Sequence, residues 1–256
     1  MSARMSAVHV LNCAIDPLTM EQALQWCVET CRDAQRARIV LTANASHLVE
    51  LQGDAALRQA ADAADLVTAD GMSLVWASWL LGHPLPERVT GIDMLSELLR
   101  LAPREGLRVF LLGAKPEVLE RFVVQCQREN PGIDIAGWRD GYFKPADHEA
   151  VVRQIAESRA DILFVAMPSP FKDIWCERYR DRLGVKLIMG VGGAFDVLAG
   201  IVPRAPRWMQ VTGLEWAWRL MREPRRLWRR YLMGNSRFIW LILRDRLRGR
   251  VPAIQN

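Results

Sequence analysis

The chain has no uncharged apolar run of the ~18 residues that a membrane-spanning helix requires; the longest candidate, around 238–243, is far too short. Its N-terminus shows no basic-then-apolar pattern of a signal peptide. The five cysteines (Cys13, Cys27, Cys31, Cys126 and Cys176) form no CxxC pair, and the four histidines stand isolated. Reduced, buried thiols are therefore expected, with neither a disulfide framework nor a zinc site. No Asp-x-Asp occurs, so the common metal–diphosphate clamp of nucleotide-sugar enzymes is missing. GxSxG, the full GxGxxG and the P-loop Lys-Ser/Thr are missing as well. No metal and no cofactor are expected.

Lysine is absent from residues 203–250, where thirteen arginines stand against three acidic residues, a net of +10. The whole chain carries only +5, so residues 1–202 sum to −5. Half of the ten tryptophans fall in the same stretch. An acidic body of residues 1–202 thus ends in a basic, aromatic appendage of residues 203–256, which points to anionic lipid, phosphate or nucleic acid as a partner. No helix-turn-helix, RRM or OB pattern supports nucleic acid. Arg219, Arg222, Arg226 and Arg229 recur at steps of three and four and would line one side of a helix, which Pro224 divides in two. Basic faces with interfacial aromatics bind anionic membranes at ~1 kcal/mol per cation near the surface. The plainer alternative is a solvated basic face held on the body by its tryptophans.

Half of the residues are hydrophobic, enough for a full core. Short β-branched runs alternate with longer amphipathic segments, which predicts βαβ units and an α/β, Rossmann-like, mostly parallel sheet flanked by helices. Strands are expected at 38–43, 66–69, 107–112, 161–167 and 185–191. Helices are expected near 20–34, 55–63, 94–102, 116–129, 146–158 and 170–183, with Pro116 and Pro170 in first-turn positions. The strands run into Asn44, Asp70-Gly71, Gly113-Ala114, Pro168-Ser169-Pro170 and Gly192-Gly193. In open α/β sheets ligands bind outside the carboxyl ends of the strands, so these residues should converge on one crevice. Any single loop of this kind is explained by turn chemistry; five in register favour a nucleotide-type site.

Asp70 stands out among them. It ends an apolar strand, where partial desolvation would raise its proton affinity and suit it to general-base work. The alternative is an N-cap for a helix starting at Met72. Thr42 and Asn44 can orient a polar ligand or serve the turn. Arg88 can meet a phosphate or simply pair with Asp93. If a diphosphate leaves during a reaction at this crevice, arginines must answer its charge.

The segments Thr42-Ala43-Asn44, Ala69-Asp70-Gly71, Arg88-Val89-Thr90-Gly91 and Gly190-Val191-Gly192-Gly193-Ala194-Phe195-Asp196 occur in order. Arg204-Ala205-Pro206, Gly213-Leu214-Glu215-Trp216 and Glu223-Pro224-Arg225-Arg226 follow. Over residues 8–245 the chain resembles the WecG/TagA/CpsF glycosyltransferases, glycosyltransferase family 26. The resemblance implies inverting, metal-independent transfer of a hexose or N-acetylhexosamine from a UDP-sugar to a polyprenyl-diphosphate-linked acceptor. It implies action at the cytoplasmic membrane face, in building a cell-surface polysaccharide such as an exopolysaccharide. Asp70 then matches the general base, with Thr42, Asn44 and Arg88 as polar partners in the site. Gly71, Gly113, Ala114, Gly192, Gly193 and Asp196 match substrate-binding loops. Arg219, Arg226 and Arg229 match arginines that reach the diphosphate from an appendage that touches the anionic bilayer.

One motif departs. Many members carry Pro-Lys-Gln-Glu where this chain reads Pro170-Phe171-Lys172-Asp173, so Lys172 stands at the family's active-site glutamine. A cation there contacts phosphate or a sugar hydroxyl where an amide would hydrogen-bond both ways. That leaves UDP-N-acetylmannosamine and UDP-glucose both open as donors. Two rival readings keep the same features without transfer: a membrane-surface nucleotide-sugar-binding scaffold, and a nucleic-acid-binding protein using the basic tail.

Overall fold

The computed structural model describes residues 7–222 and 224–247, with the side chains of residues 211, 219 and 225–233 outside the description. A small hairpin, β1 (Val8–Val10) and β2 (Cys13–Ile15), opens the chain. There follow α1 (Met20–Asp33), β3 (Arg38–Ala43), α2 (Ala45–Glu50), α3 (Ala55–Asp62), β4 (Leu66–Ala69), α4 (Met72–Leu80) and α5 (Gly91–Glu105). Next come β5 (Arg108–Gly113), α6 (Pro116–Glu129), β6 (Asp134–Arg139), α7 (His148–Ser158), β7 (Ile162–Ala166), α8 (Phe171–Tyr179), β8 (Leu187–Gly190) and α9 (Ala194–Leu198). The C-terminal segment adds α10 (Arg207–Val211), α11 (Glu215–Arg222) and α12 (Pro224–Leu247).

Six strands form one parallel sheet in the order β4-β3-β8-β7-β5-β6. Apart from the edge strand β6, its strands are buried on both faces because their side chains alternate between two apolar layers. Leu41, Phe110, Leu163 and Ile188 join one layer with α2, α3, α7 and α8. Val40, Val109, Phe164 and Met189 join the other with α1, α5, α6 and α9. This is the Rossmann-like α/β architecture the alternation of elements predicts. The five expected strands lie within two residues of β3, β4, β5, β7 and β8.

β6 was not among the expected strands. It is an edge strand of the sequence DIAGWR, half-exposed for most of its length. Gly137 lets the ring of Phe110 cross it, since a Cβ there would fall 2.7 Å from Phe110 Cε2. The hairpin β1–β2 and the helix α2 were not anticipated as elements either, and α4 is the helix from Met72 that was expected only as the alternative account of Asp70. α5 begins at Gly91, a turn earlier than its apolar pattern, because the Thr90 hydroxyl caps it by accepting from the Asp93 N–H.

The five cysteines are free and buried, as expected. Burial pushes Cys126 up to about 11 and Cys31 up to about 12, so neither is a thiolate at neutral pH. The C-terminal segment is not a loose tail. Phe238, Leu241 and Ile242 of α12 are buried in the same apolar layer as α2 and α4. Among the described residues no helix is long and apolar enough to cross a membrane.

Candidate active site

The chain order reverses across the sheet between β3, which continues outward to β4, and β8, which arrives from the β7 side. Ligands of open α/β sheets bind at the carboxyl ends of the strands at such a point. A cavity of about 480 Å³ opens there. The ends of β3, β4 and β8 supply Asn44, Asp70, Gly71, Val191 and Gly193 to its wall, and Arg88 enters from the loop before α5. The C-terminal segment closes it with Gly213, Glu215, Trp216 and the Asn235–Leu243 stretch of α12.

Asp70 sits at the rim, half-buried, with its backbone pinned on both sides. Its N–H donates to the Ala43 carbonyl at 2.7 Å, and the Ala69 carbonyl accepts from Val89 N–H at 3.0 Å. The N-cap of α4 is Gly71 at φ 149°, in the region that favours glycine, so the capping role that competes for Asp70 falls to its neighbour. Asn44 caps α2: its Oδ1 accepts from the His47 N–H at 3.1 Å. That bond fixes the amide plane and leaves the Nδ2 donor end for the cavity.

Arg88 pairs with Glu215 at 3.3 Å, not with Asp93. Asp93 instead meets Arg204 at 2.6 Å and accepts from the Thr90 hydroxyl at 2.6 Å. Two ion pairs thus latch the C-terminal segment across the start of α5, both partly buried and so less screened than surface pairs. A backbone contact completes the docking. Gly213, at φ 72°, lies so close to α4 that a Cβ there would fall 2.6 Å from Met72 Cβ. Gly213→Ala is expected to cost roughly 1–3 kcal/mol, because the residue meets both a left-handed backbone and an occupied space. Thermal unfolding reads this directly, and a variant as stable as the parent would contradict the close docking.

The other anticipated residues lie along the same edge of the sheet but outside the cavity wall. Thr42 faces the other layer, where Gly91 packs on it and its hydroxyl lies 3.4 Å from the Gly190 carbonyl. Gly113 and Ala114 close the β5 end; a Cβ on Gly113 would lie 2.5 Å from the Ala166 carbonyl oxygen, and Ala114 N–H donates to that oxygen at 2.9 Å. Gly192, at φ 52°, and Asp196 flank the β8 turn. Lys172 is buried beneath Gly190, ion-paired with Asp173. The side chains of Arg219, Arg226 and Arg229 lie outside the described residues. The structure therefore divides the anticipated set: Asn44, Asp70, Gly71, Arg88 and Gly193 meet at the cavity, and Gly113, Ala114, Lys172, Gly192 and Asp196 line the neighbouring β5–β7–β8 stretch.

Sequence reasoning missed Glu215, Ser46, Ser73 and Asn235, as well as the apolar wall formed by Trp76, Leu80, Ile239 and Leu243. Glu215 was legible as part of a motif without a role. The available signal for the apolar wall was the tryptophan pair Trp76 and Trp79 in a short segment with no polar face.

A Rossmann-like parallel sheet with a carboxylate, an amide and an arginine at its switch-point cavity defines an α/β ligand-binding enzyme architecture. The chain belongs to the glycosyl transferase WecG/TagA/CpsF family, whose model matches residues 8–252. It is 36% identical over 203 residues to an N-acetylglucosaminyldiphosphoundecaprenol N-acetyl-beta-D-mannosaminyltransferase from Bacillus spizizenii, covering 79% of this chain and 78% of the relative.

Proposed function

We propose that this chain is an inverting, metal-independent glycosyltransferase that moves a sugar from a UDP-sugar to a polyprenyl-diphosphate-linked acceptor at the cytoplasmic face of a membrane. The observation that carries this reading is the position of Asp70: at the carboxyl end of β4, in a cavity lined by polar groups near it and by apolar helix faces beyond it. A lipid-linked sugar presents that same sequence of chemistry, hydroxyls first and hydrocarbon last. The relative's acceptor, a sugar diphosphate on undecaprenol, is of this kind.

In the proposed step the Asp70 carboxylate takes the proton of the acceptor hydroxyl. The oxygen attacks the anomeric carbon from the face opposite the leaving group, the bond from that carbon to the UDP oxygen breaks, and UDP departs with the electron pair. Asn44 Nδ2 orients the sugars. The turns at Gly113-Ala114 and Gly192-Gly193 bring backbone close to the nucleotide. Arg219, Arg226 and Arg229 are the cations proposed for the diphosphate, and the anionic membrane surface meets the basic appendage.

The test is a UDP-release assay with a lipid-linked sugar-diphosphate acceptor, offered UDP-glucose, UDP-N-acetylglucosamine and UDP-N-acetylmannosamine in turn, in excess chelator. One donor is expected to give acceptor-dependent release at a rate the chelator does not change. Binding of a UDP-sugar with no release from any donor would point to a scaffold instead, and loss of activity in chelator would reject the metal-independent step. A sugar product with retained anomeric configuration would reject the direct displacement.

A further inference from the structure

α4 does not have the pattern of a surface helix. Leu74, Val75, Ala77 and Ser78 are buried, yet Trp76 and Trp79 are 51% and 62% exposed, and Leu80 is exposed as well. α12 mirrors it: Phe238, Leu241 and Ile242 are buried while Ile239, Trp240 and Leu243 stand out, Trp240 at 59%. Large apolar side chains grouped on two neighbouring helices mark an interaction surface, whereas scattered ones need no explanation.

The cavity gives this surface a direction. On α4 its wall is Met72, Ser73, Trp76, Ala77 and Leu80, one face of the helix, which starts two residues after Asp70. From Met72 to Leu80 that face runs ~12 Å away from the carboxylate at 1.5 Å per residue. On α12 the wall is Asn235, Phe238, Ile239, Ile242 and Leu243, again one stripe, polar only at its first member. The two helices run the same way. Gly234 lies beside Ser46 at the start of α2, since a Cβ there would be 3.8 Å from Ser46 Oγ. At the other end Arg246 Nη1 donates to the Leu80 carbonyl at 3.2 Å. The groove between them therefore begins at Asp70, Asn44 and Asn235 and ends at the apolar side chains of Leu80 and Leu243, with the Arg246 guanidinium beside them.

We infer that this α4–α12 groove holds the first isoprene unit of the acceptor's polyprenyl chain, and that the catalytic body itself, through Trp76 and Trp79, shares the lipid-facing surface with α12. The inference rests on the lipid-linked acceptor proposed above. The molecule whose hydroxyl meets Asp70 must lead its hydrocarbon out of the same cavity, and the apolar groove is the path lined for it. The sugar and diphosphate take up roughly 10 Å of this path at ~1.5 Å per bond, so it is the first isoprene unit that reaches the Leu80–Leu243 end of the ~12 Å groove. The mouth has the chemistry of a bilayer interface. Arg244 stacks over the Trp240 ring at 5.1 Å, so a cation and an indole sit together beside the apolar exit.

The experiment uses the full chain without vesicles or micelles and a series of acceptors that share one sugar diphosphate but end in methyl, one, two or four isoprene units. From methyl to two units kcat/KM is expected to rise by about tenfold or more, as apolar area leaves water, and to flatten between two and four. In Leu80→Asp and Leu243→Asp, both at partly exposed positions that the fold should tolerate, the two-unit to methyl ratio should fall toward one. This ratio is internal to each variant, so a general loss of active protein does not move it. A parent enzyme that glycosylates the methyl and two-unit acceptors equally well would overturn the groove while leaving the proposed function standing. So would a ratio unchanged in both variants. Transfer to none of the acceptors, even with vesicles added, would sink the lipid-acceptor reading and the groove with it.

Discussion

Asp70→Asn is expected to lower transfer to a lipid-linked acceptor by about 100- to 10,000-fold, the range general-base catalysis contributes, while the UDP-sugar still binds. Asparagine keeps the volume of the side chain and one oxygen acceptor, but it exchanges the charged, proton-accepting oxygen for a neutral amide donor. The backbone should hold its place, because two hydrogen bonds between main-chain groups pin it: Asp70 N–H to Ala43 O, and Val89 N–H to Ala69 O. Gly71, not Asp70, starts α4, so the substitution removes no helix cap. Donor binding should survive because the turns proposed for the nucleotide, at β5 and β8, lie further along the sheet edge. UDP release with acceptor reads the first half of the prediction, and calorimetric titration of donor in the absence of acceptor reads the second. A variant that turns over near the parent rate would remove Asp70 from the base role. A variant that neither transfers nor binds donor would place it in the donor site instead.

What could be read from the sequence follows from which residues face two apolar layers. β3, β5 and β7 are continuous apolar runs because both of their faces are covered, and such runs are visible in one dimension. β6 carries Asp134, Gly137 and Arg139 because one edge and much of one face meet solvent, so it lacks the signal. The strand-end residues were legible for the same reason as the strands: where an apolar run stops at Asn44 or Asp70, the carboxyl edge of the sheet has been reached. Pairing was not legible. Nothing local distinguishes Asp93 from Glu215 as the partner of Arg88, since that choice depends on how α11 docks across the start of α5. The apolar wall was hidden by the pattern that makes it interesting. A helix buried on one face and exposed as tryptophan and leucine on another has no amphipathic period, so α4 was legible only through Asp70 as a possible cap for a helix from Met72. The appendage was legible as basic and aromatic, and its packing on the body stood as the plainer alternative, but through tryptophans; Phe238, Leu241 and Ile242, which are buried in the core, recur at helical spacing and find their partners only in three dimensions.

Asp173→Asn is expected to destabilise the fold by about 3–5 kcal/mol, the cost of leaving one member of a buried ion pair alone, or roughly 10 °C in melting temperature for a chain of this size. Lys172 and Asp173 are adjacent at the start of α8, both buried, and paired with each other. Ser169 Oγ donates to Asp173 Oδ2 at 2.6 Å, and His47 Nε2 from α2 lies 3.8 Å from the same oxygen. The lysine stem has little freedom to reach water, because it packs on Gly190, where a Cβ would come within 2.9 Å of Lys172 Cε. Burial favours the protonated Asp173, but Lys172, His47 and the Ser169 hydrogen bond outweigh it and hold the carboxyl below its ordinary 3.8. A carboxyl depressed in the folded state contributes stability that is complete above its unfolded value and is lost as pH falls through the folded one. The gap between parent and Asp173→Asn should therefore be widest at neutral pH and narrow on acidification below 3.8. Lys172→Gln combined with Asp173→Asn removes both charges and should recover most of the loss, because two neutral amides can hydrogen-bond where a lone ammonium cannot. Urea unfolding of the parent, both single variants and the double variant measures the coupling. A single Asp173→Asn within 1 kcal/mol of the parent at neutral pH would show that Lys172 is not held by this pair, returning it to the donor contact that its place in the Pro170-Phe171-Lys172-Asp173 motif suggests.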